Sequence, residues 1–169
     1  FFARSLDVEM AVSQEVLEEA ARHKGSSVVE LLQNCVNFNN NIHSYVADKE
    51  FRADRTVHLR HGEKMIFGKD NNRGLVLDGY KLKAVTIGEN GVTLDDILVH
   101  DAKSPDNFLH QSLAMMDGHE LPLAIGVIRN VEAPVYDEEV DRQVKEVTSK
   151  VPYSSLREFL LTGETWEVK

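Results

Sequence analysis

Cys35 is the only cysteine among the 169 residues, and its thiol is the side chain in this sequence with the most possible chemical roles. It lies where an aliphatic run, residues 26–33, gives way to polar sequence. Ligands gather beyond the carboxyl ends of strands in open α/β sheets, so this position suits a nucleophile or a metal ligand. The alternative is a buried free thiol that packs as a small hydrophobic side chain. One cysteine forms neither an internal disulfide nor a complete metal site, and it predicts a reducing, cytoplasmic compartment.

Two of the seven histidines, His58 and His61, have a spacing that brings both imidazoles to one face of a helix, where they can hold zinc. The surrounding residues do not favour a helix, and no cysteine or acidic residue completes a zinc-like spacing. We therefore expect these histidines to form loop hydrogen bonds rather than bonds to a metal. His100 is likewise expected to make a local polar contact with Asp101.

Neighbouring acidic residues offer a second possible chemistry, because paired carboxylates can act as general acid and base. Asp95 and Asp96 form one such group, and residues 137–139 form another. Both groups fall in the first turns of predicted helices, where the helix dipole favours negative charge, so we assign them a structural role. The glycines form no Walker or dinucleotide-binding pattern. These residues by themselves identify no catalytic group.

The composition is that of an ordinary globular domain, with 42% hydrophobic and 28% charged residues. One domain is the expectation at this length. The formal net charge of -9 has the wrong sign for nonspecific binding to nucleic acid or anionic lipid. No apolar run reaches the roughly 20 residues that cross a bilayer. The first five residues contain neither an initiator methionine nor a signal-peptide pattern, so we expect an upstream segment to have been removed.

A helix and a strand must position Cys35. Apolar residues at four-residue spacing predict a helix over residues 7–24 that ends at Gly25. The aliphatic run at 26–33 predicts a buried strand. Residues 34–72 are rich in asparagine, histidine and charge, and they predict a long functional or partner-covering loop with a weak helical patch near 42–46.

Strands are also predicted in the second half of the chain. Asp78-Gly79 favours a tight hairpin turn between strands at 74–77 and 81–87. The aliphatic segment 121–131 has the composition of a buried strand, and we expect it to be central in the sheet.

Helix starts are well marked around these strands. Thr93 with Asp96 predicts a short capped helix, and Ser104-Pro105 predicts the start of another that ends at Gly118. Two charged helices follow. An apolar face at Val140, Val144 and Val147 predicts the first, and a capping box at Ser155 and Glu158 predicts the start of the second.

The order of several segments resembles the beta subunit of 2-oxoacid:ferredoxin oxidoreductases, in essentially the whole chain. The segments are Lys24-Gly25 with Val28-Val29-Glu30-Leu31-Leu32-Gln33-Asn34-Cys35-Val36-Asn37-Phe38-Asn39, then His61-Gly62-Glu63-Lys64-Met65-Ile66-Phe67-Gly68-Lys69, Leu98-Val99-His100-Asp101 and Ile125-Gly126-Val127-Ile128-Arg129. The resemblance implies the C-terminal half of such a subunit. The thiamine diphosphate and magnesium motifs of these subunits lie in the N-terminal half, which this sequence does not contain.

The fold implied by the resemblance is α/β. The resemblance implies the C-terminal part of a thiamine diphosphate-binding three-layer α/β/α domain with a long loop and a C-terminal α/β extension. Residues 1–48 would belong to the thiamine diphosphate-binding domain, and residues 49–169 would be the C-terminal extension of the beta subunit. The implied partners are the N-terminal half of the beta subunit, the alpha subunit, ferredoxin and coenzyme A, with no nucleic acid and no membrane.

In the family that the sequence resembles, the cysteine at this position is one of four ligands of a four-iron four-sulfur cluster, and Cys35 is the matching residue. The implied reaction is the oxidative decarboxylation of a 2-oxoacid to an acyl-CoA, with electrons passing through the cluster to ferredoxin. Residues 35–39 are more similar to the 2-oxoglutarate-type or broad 2-oxoacid branch than to the pyruvate-specific branch, in which proline commonly follows the cysteine. Asn37 stands where that branch often has threonine. The resemblance assigns no catalytic acid or base to this chain.

Two other functions stay open on the sequence alone. A non-catalytic interaction module would cover a partner with residues 34–72 and the later helices, and it would expose apolar surface. A thiol-based redox sensor would need an accessible and activated Cys35 sulfur.

Overall fold

A mixed sheet is the centre of the larger of two units in this computed structural model, which describes residues 1–164, 166 and 168. The units are Phe1–Ala133 and Pro134–Lys169. The first contains, in chain order, β1 (Phe2–Leu6), α1 (Met10–Arg22), β2 (Val28–Leu32), α2 (Ser44–Ala47), α3 (Arg52–Arg55), β3 (Thr56–Leu59), β4 (Ile66–Phe67), β5 (Arg73–Asp78), β6 (Lys81–Thr86), a 3-10 helix (Leu94–Asp96), α4 (Phe108–Ala114) and β7 (Leu123–Arg129). The second contains α5 (Tyr136–Ser149) and α6 (Leu156–Leu160).

The main sheet has four strands in the order β2-β1-β7-β3. β1 and β2 are parallel and are joined by α1, whereas β7 runs antiparallel to β1 and parallel to β3. The predicted α/β class is therefore confirmed, with both parallel and antiparallel pairs in one sheet.

The aliphatic segment near the end of the first unit is the central strand that the sequence predicts. β7 lies between β1 and β3, and all of its residues except Arg129 are buried. Ala124 and Ile128 of β7 belong to the largest apolar cluster, together with Val57 and Leu59 of β3. A strand that is covered on both faces reads as a continuous apolar run, which is why its sequence identified it.

The predicted buried strand after α1 is present as β2, but the prediction of burial is wrong. β2 lies at the edge of the sheet, and Val28 and Leu31 are 58% and 46% exposed. Aliphatic composition identifies a strand but does not give its place in the strand order, which depends on pairing with distant residues.

The prediction of an unstructured loop over residues 34–72 is also wrong. This segment contains α2 near the predicted helical patch, then α3, β3 and β4. β3 pairs with β7 in register from Thr56 opposite Leu123 to Leu59 opposite Gly126. A strand of four residues whose partner lies far along the chain leaves little local pattern in the sequence, so its existence depends on tertiary packing.

The predicted hairpin forms a second sheet with the order β4-β5-β6. Asp78 pairs with Lys81, so the two-residue turn is Gly79-Tyr80, one position later than the predicted Asp78-Gly79 turn. Gly79 has a φ of 64°, which glycine adopts without steric cost. The hairpin is confirmed.

The predicted helices are present with shorter bounds. α1 occupies Met10–Arg22 within the predicted 7–24, and α4 begins at Phe108 rather than directly after Pro105. In the second unit α6 begins after Ser155, whose side chain accepts a hydrogen bond from the Glu158 backbone N–H at 3.2 Å. Among the described residues, no helix has both the length and the apolar character needed to cross a membrane. The boundary predicted at residue 48 stays a prediction.

Candidate functional site

The carboxyl ends of β1 and β2 meet at one end of the main sheet, and this is where Cys35 lies. Asp7 follows β1, and its backbone N–H donates to the carbonyl of Leu32 at 3.1 Å. The Asp7 carboxylate accepts from the backbone N–H of Asn34, also at 3.1 Å. These bonds fix the direction in which the chain leaves β2, and they place the loop that carries Cys35.

Asn34 joins the two ends of this loop. Its side-chain nitrogen donates to Oδ1 of Asn40 at 3.1 Å, and its side-chain oxygen accepts from the backbone N–H of Asn41 at 2.7 Å. Asn41 has a φ of 62°, a left-handed conformation that asparagine tolerates better than most residues. The run of asparagines therefore marks a closed loop, a feature that is not among the predictions made from the sequence.

Cys35 is exposed at the base of a narrow turn within the loop. Its carbonyl accepts from the backbone N–H of Asn39 at 2.9 Å. Val36 and Phe38 in the turn are 72% and 94% exposed. The interpretation of Cys35 as a buried packing residue is therefore wrong, and the sulfur is accessible as a ligand or a nucleophile must be.

The donor set at this site consists of a single soft ligand. Among residues 1–164, 166 and 168, no group of three or more histidine, cysteine or acidic side chains is arranged to hold a metal ion. A thiolate suits iron–sulfur centres, and one exposed thiolate can serve as one ligand of a cluster whose other ligands come from elsewhere. The position of Cys35 fits that role.

His58 and His61 lie near different carboxylates, although both line the same cavity. His58 lies in β3 rather than in a loop, with Nε2 3.6 Å from Oε1 of Glu9. His61 lies after β3, with Nδ1 3.3 Å from Oδ1 of Asp101. Because β3 ends at Leu59, these two residues do not share a helix, and the helical spacing that would bring both imidazoles to one face does not apply.

The carboxylate of Glu9, which is not among the candidate residues predicted from the sequence, lies beside His58. Oε1 of Glu9 is 3.6 Å from Nη1 of Arg52 as well as from His58. Oε2 of Glu9 is buried and has no hydrogen-bond partner in the described part of the chain. Arg52 also donates to the carbonyl of Ala47, so this group connects α1 with α2 and α3. The sequence signal for it was weak, because Glu9 reads as an ordinary residue at the start of a helix.

The predicted local contact between His100 and Asp101 is wrong. His100 is fully buried, and its Nε2 donates to the carbonyl of Val127 in β7 at 2.8 Å. Burial lowers the pKa of His100, so the ring is neutral at pH 7. The backbone carbonyl of Asp101 accepts instead from Nε2 of His110 at 2.7 Å. Packing of this segment against β7 decides these partners.

The acidic groups have the structural role that the sequence predicts. The carboxylate of Asp96 accepts from the backbone N–H and the hydroxyl of Thr93, at 2.7 and 2.8 Å, and these bonds lower the pKa of Asp96. Asp95 lies in the same first turn, and residues 137–139 lie in the first turn of α5.

Comparison with known proteins gives one informative relative. No protein-family model matches the chain, and no solved structure matches it. The chain is 31% identical over 171 residues to the 2-oxoglutarate oxidoreductase subunit KorB of Mycobacterium tuberculosis (strain ATCC 25618 / H37Rv), and the match covers 99% of this chain and 45% of KorB. The chain thus spans less than half of this relative. The resemblance drawn from the sequence is confirmed, and over essentially its whole length the chain is related to the C-terminal part of a 2-oxoglutarate oxidoreductase subunit.

Proposed function

We propose that this chain is the C-terminal part of the beta subunit of a 2-oxoacid:ferredoxin oxidoreductase that acts on 2-oxoglutarate in the cytoplasm. The enzyme oxidatively decarboxylates its substrate to an acyl-CoA and reduces ferredoxin. The observation that carries the proposal is the match to KorB, at 31% identity over 99% of this chain. The N-terminal half of the beta subunit, with thiamine diphosphate and magnesium, and the alpha subunit complete the enzyme in this proposal.

Cys35 contributes one of the four ligands of a four-iron four-sulfur cluster in this enzyme. When bound, the cluster supplies one-electron transfer towards ferredoxin. The other three thiolates come from the N-terminal half. The exposure of Cys35 supports this role, because a buried sulfur could not bind iron that is held by another segment.

Asp7 and Asn34 position the Cys35 loop. Their hydrogen bonds fix the start of the loop to β1 and close its two ends on each other. A loop with closed ends has fewer conformations, so less ordering free energy is lost when its thiolate binds iron.

The test is the iron content of the assembled enzyme with Cys35→Ser and Cys35→Ala. Both variants should lose iron and visible absorbance, and 2-oxoglutarate-dependent reduction of ferredoxin should fall with them. Val36→Ala is the matched control, since it changes the neighbouring exposed side chain and keeps the sulfur. Full iron content in the Cys35→Ala enzyme would show that Cys35 is not a ligand.

A second candidate function is the non-catalytic interaction module. The exposed apolar side chains of Val36 and Phe38 and of Val140, Val144 and Val147 on α5 favour it, because such side chains mark interaction surfaces. A native complex that contains this chain but neither iron nor 2-oxoglutarate oxidation would support the module over the enzyme.

A further inference from the structure

A cavity of about 310 Å³ lies in the first unit between α1, β3 and β7. Its volume is at the lower end of the range for small-molecule sites, which is about 300–1,000 Å³. Asp7, Asn34 and Cys35 are not among its lining residues, so the Cys35 loop does not contribute to it. The cavity is therefore a second candidate for ligand binding.

The buried part of the lining is apolar. Val16 of α1, Ala102 and Val127 of β7 line the cavity and belong to one apolar cluster, in which each is at most 8% exposed. Val12 of α1 packs against the same cluster and also lines the cavity. The side chains of these residues are short and aliphatic and form no hydrogen bonds. This part of the cavity therefore fits the aliphatic part of a ligand.

Glu19 and Lys103 bring opposite charges to this cavity. Among residues 1–164, 166 and 168, neither side chain forms an ion pair, either with the other or with a third residue. Glu15, which also lines the cavity, is by contrast paired with Arg60 at 3.2 Å. An unpaired carboxylate and an unpaired ammonium group at one cavity are complementary to a ligand that carries both charges.

Asn130 lies close to both of these charged residues. Glu19, Lys103 and Asn130 line this cavity and also a neighbouring one, so they lie together where the two cavities meet. Oδ1 of Asn130 accepts from Nδ1 of His23 at 2.9 Å, and the backbone N–H of Asn130 donates to the carbonyl of Ala102 at 2.7 Å. These bonds hold Asn130 in place. Its side-chain N–H groups form no hydrogen bond within the described part of the chain, and they can donate to a carboxylate.

We propose that this cavity binds a free α-amino acid with an aliphatic side chain. The Glu19 carboxylate accepts hydrogen bonds from the ammonium group of the ligand. The carboxylate of the ligand accepts from Nζ of Lys103 and from the side-chain amide of Asn130, and its side chain packs on Val16 and Val127. Each charge of the ligand then meets an opposite charge, which compensates for its removal from water. The inference goes beyond the proposed function and does not depend on it.

The experiment measures binding of L-leucine by isothermal titration calorimetry to the native complex, purified through a tag on this chain. L-Leucine should bind at one site per chain. Two analogues each lack one charge, 4-methylpentanoate without the ammonium group and 3-methylbutylamine without the carboxylate, and each should bind at least roughly tenfold more weakly. Glycine, which has no aliphatic side chain, should also bind at least roughly tenfold more weakly. No binding of L-leucine at millimolar concentration, or equal binding of the four compounds, would overturn the inference.

Glu19→Gln and Lys103→Gln assign the site, because each removes one charge and keeps a polar side chain. Each should weaken L-leucine binding at least roughly tenfold. Glu63→Gln is the matched control, since Glu63 is an acidic residue at the same cavity that does not line the neighbouring one. The affinity of this control should stay within roughly twofold of that of the unaltered complex, because salt screens an exposed charge that does not touch the ligand.

Wild-type affinity in Glu19→Gln, or equal losses in Glu19→Gln and Glu63→Gln, would overturn the placement of the ligand. The comparison of the four compounds uses the unaltered chain, so it tests the inference even where a variant does not fold. Neither readout requires reduction of ferredoxin, so failure of the proposed function would leave this inference intact.

Discussion

Gly126 permits the close approach of β7 to β3, and its replacement by alanine tests the register of the main sheet. Its φ is +98°, and an added Cβ would lie 2.6 Å from the carbonyl oxygen of Leu59. Since this contact is with backbone, rotation of a side chain cannot relieve it. Gly126→Ala should therefore destabilise the first unit both by its conformation and by its contact with β3.

The magnitude is the sum of two costs. A left-handed conformation costs an L-residue about 1–2 kcal/mol, and overpacking a dense interior costs about 1–3 kcal/mol. We expect Gly126→Ala to lower the free energy of unfolding by about 2–5 kcal/mol. Gly88→Ala is the matched control, because Gly88 has a φ of +88° and no atom within 4 Å of an added Cβ. It should lose only the conformational part, about 1–2 kcal/mol.

Urea unfolding followed by circular dichroism gives these free energies from the shift of the midpoint at constant slope. The Gly126 variant should be less stable than the Gly88 variant by at least about 1 kcal/mol. Equal losses in the two variants would refute the close approach of β3 and β7 around Gly126.

Two further predictions concern the Cys35 loop and the buried histidine. Asn34→Ala removes the side-chain bonds that close the loop, so the Asn41 amide should exchange at least roughly fivefold faster. Asn37→Ala in the same loop should leave that rate unchanged, and equal acceleration in both would contradict the role of Asn34. Burial lowers the pKa of His100 from 6.5, so as pH falls the unfolded chain takes up a proton on this ring before the folded chain does. The stability that comes from keeping the ring neutral is complete above pH 6.5 and is lost as pH falls below 6.5. The free energy of unfolding should fall by at most about 1.4 kcal/mol per pH unit, and this fall should be smaller in His100→Gln. Urea midpoints at several pH values measure it. The same dependence of unfolding free energy on pH in both proteins would contradict the reasoning.

The elements that the sequence predicted have local patterns. α1 and α5 repeat apolar residues at helical spacing, and the β5–β6 hairpin has glycine at its turn. β7 is aliphatic along its length because both of its faces are buried. In each case neighbouring residues carry the information, so a sequence window is enough to recognise the element.

The elements that were missed depend on distant residues. β3 is four residues long and becomes a strand by pairing with β7. His100 reads as a polar loop residue, but contact with Val127 buries it. The carboxylate of Glu9 meets Arg52 and His58 only because α1, α3 and β3 pack together.

For the candidate site, too, some features follow from the sequence and others only from the tertiary structure. The sequence by itself determined that Cys35 follows a strand and is the single thiol, and its order of residues identified the relationship to 2-oxoglutarate oxidoreductase subunits. Only the tertiary structure decided that β2 is an edge strand, that Cys35 is exposed and that Asp7 and Asn34 hold its loop. The physical reason is that strand order and exposure result from pairing and packing between segments far apart in the chain, whereas local patterns of apolar and polar residues specify only which segments become helices and strands.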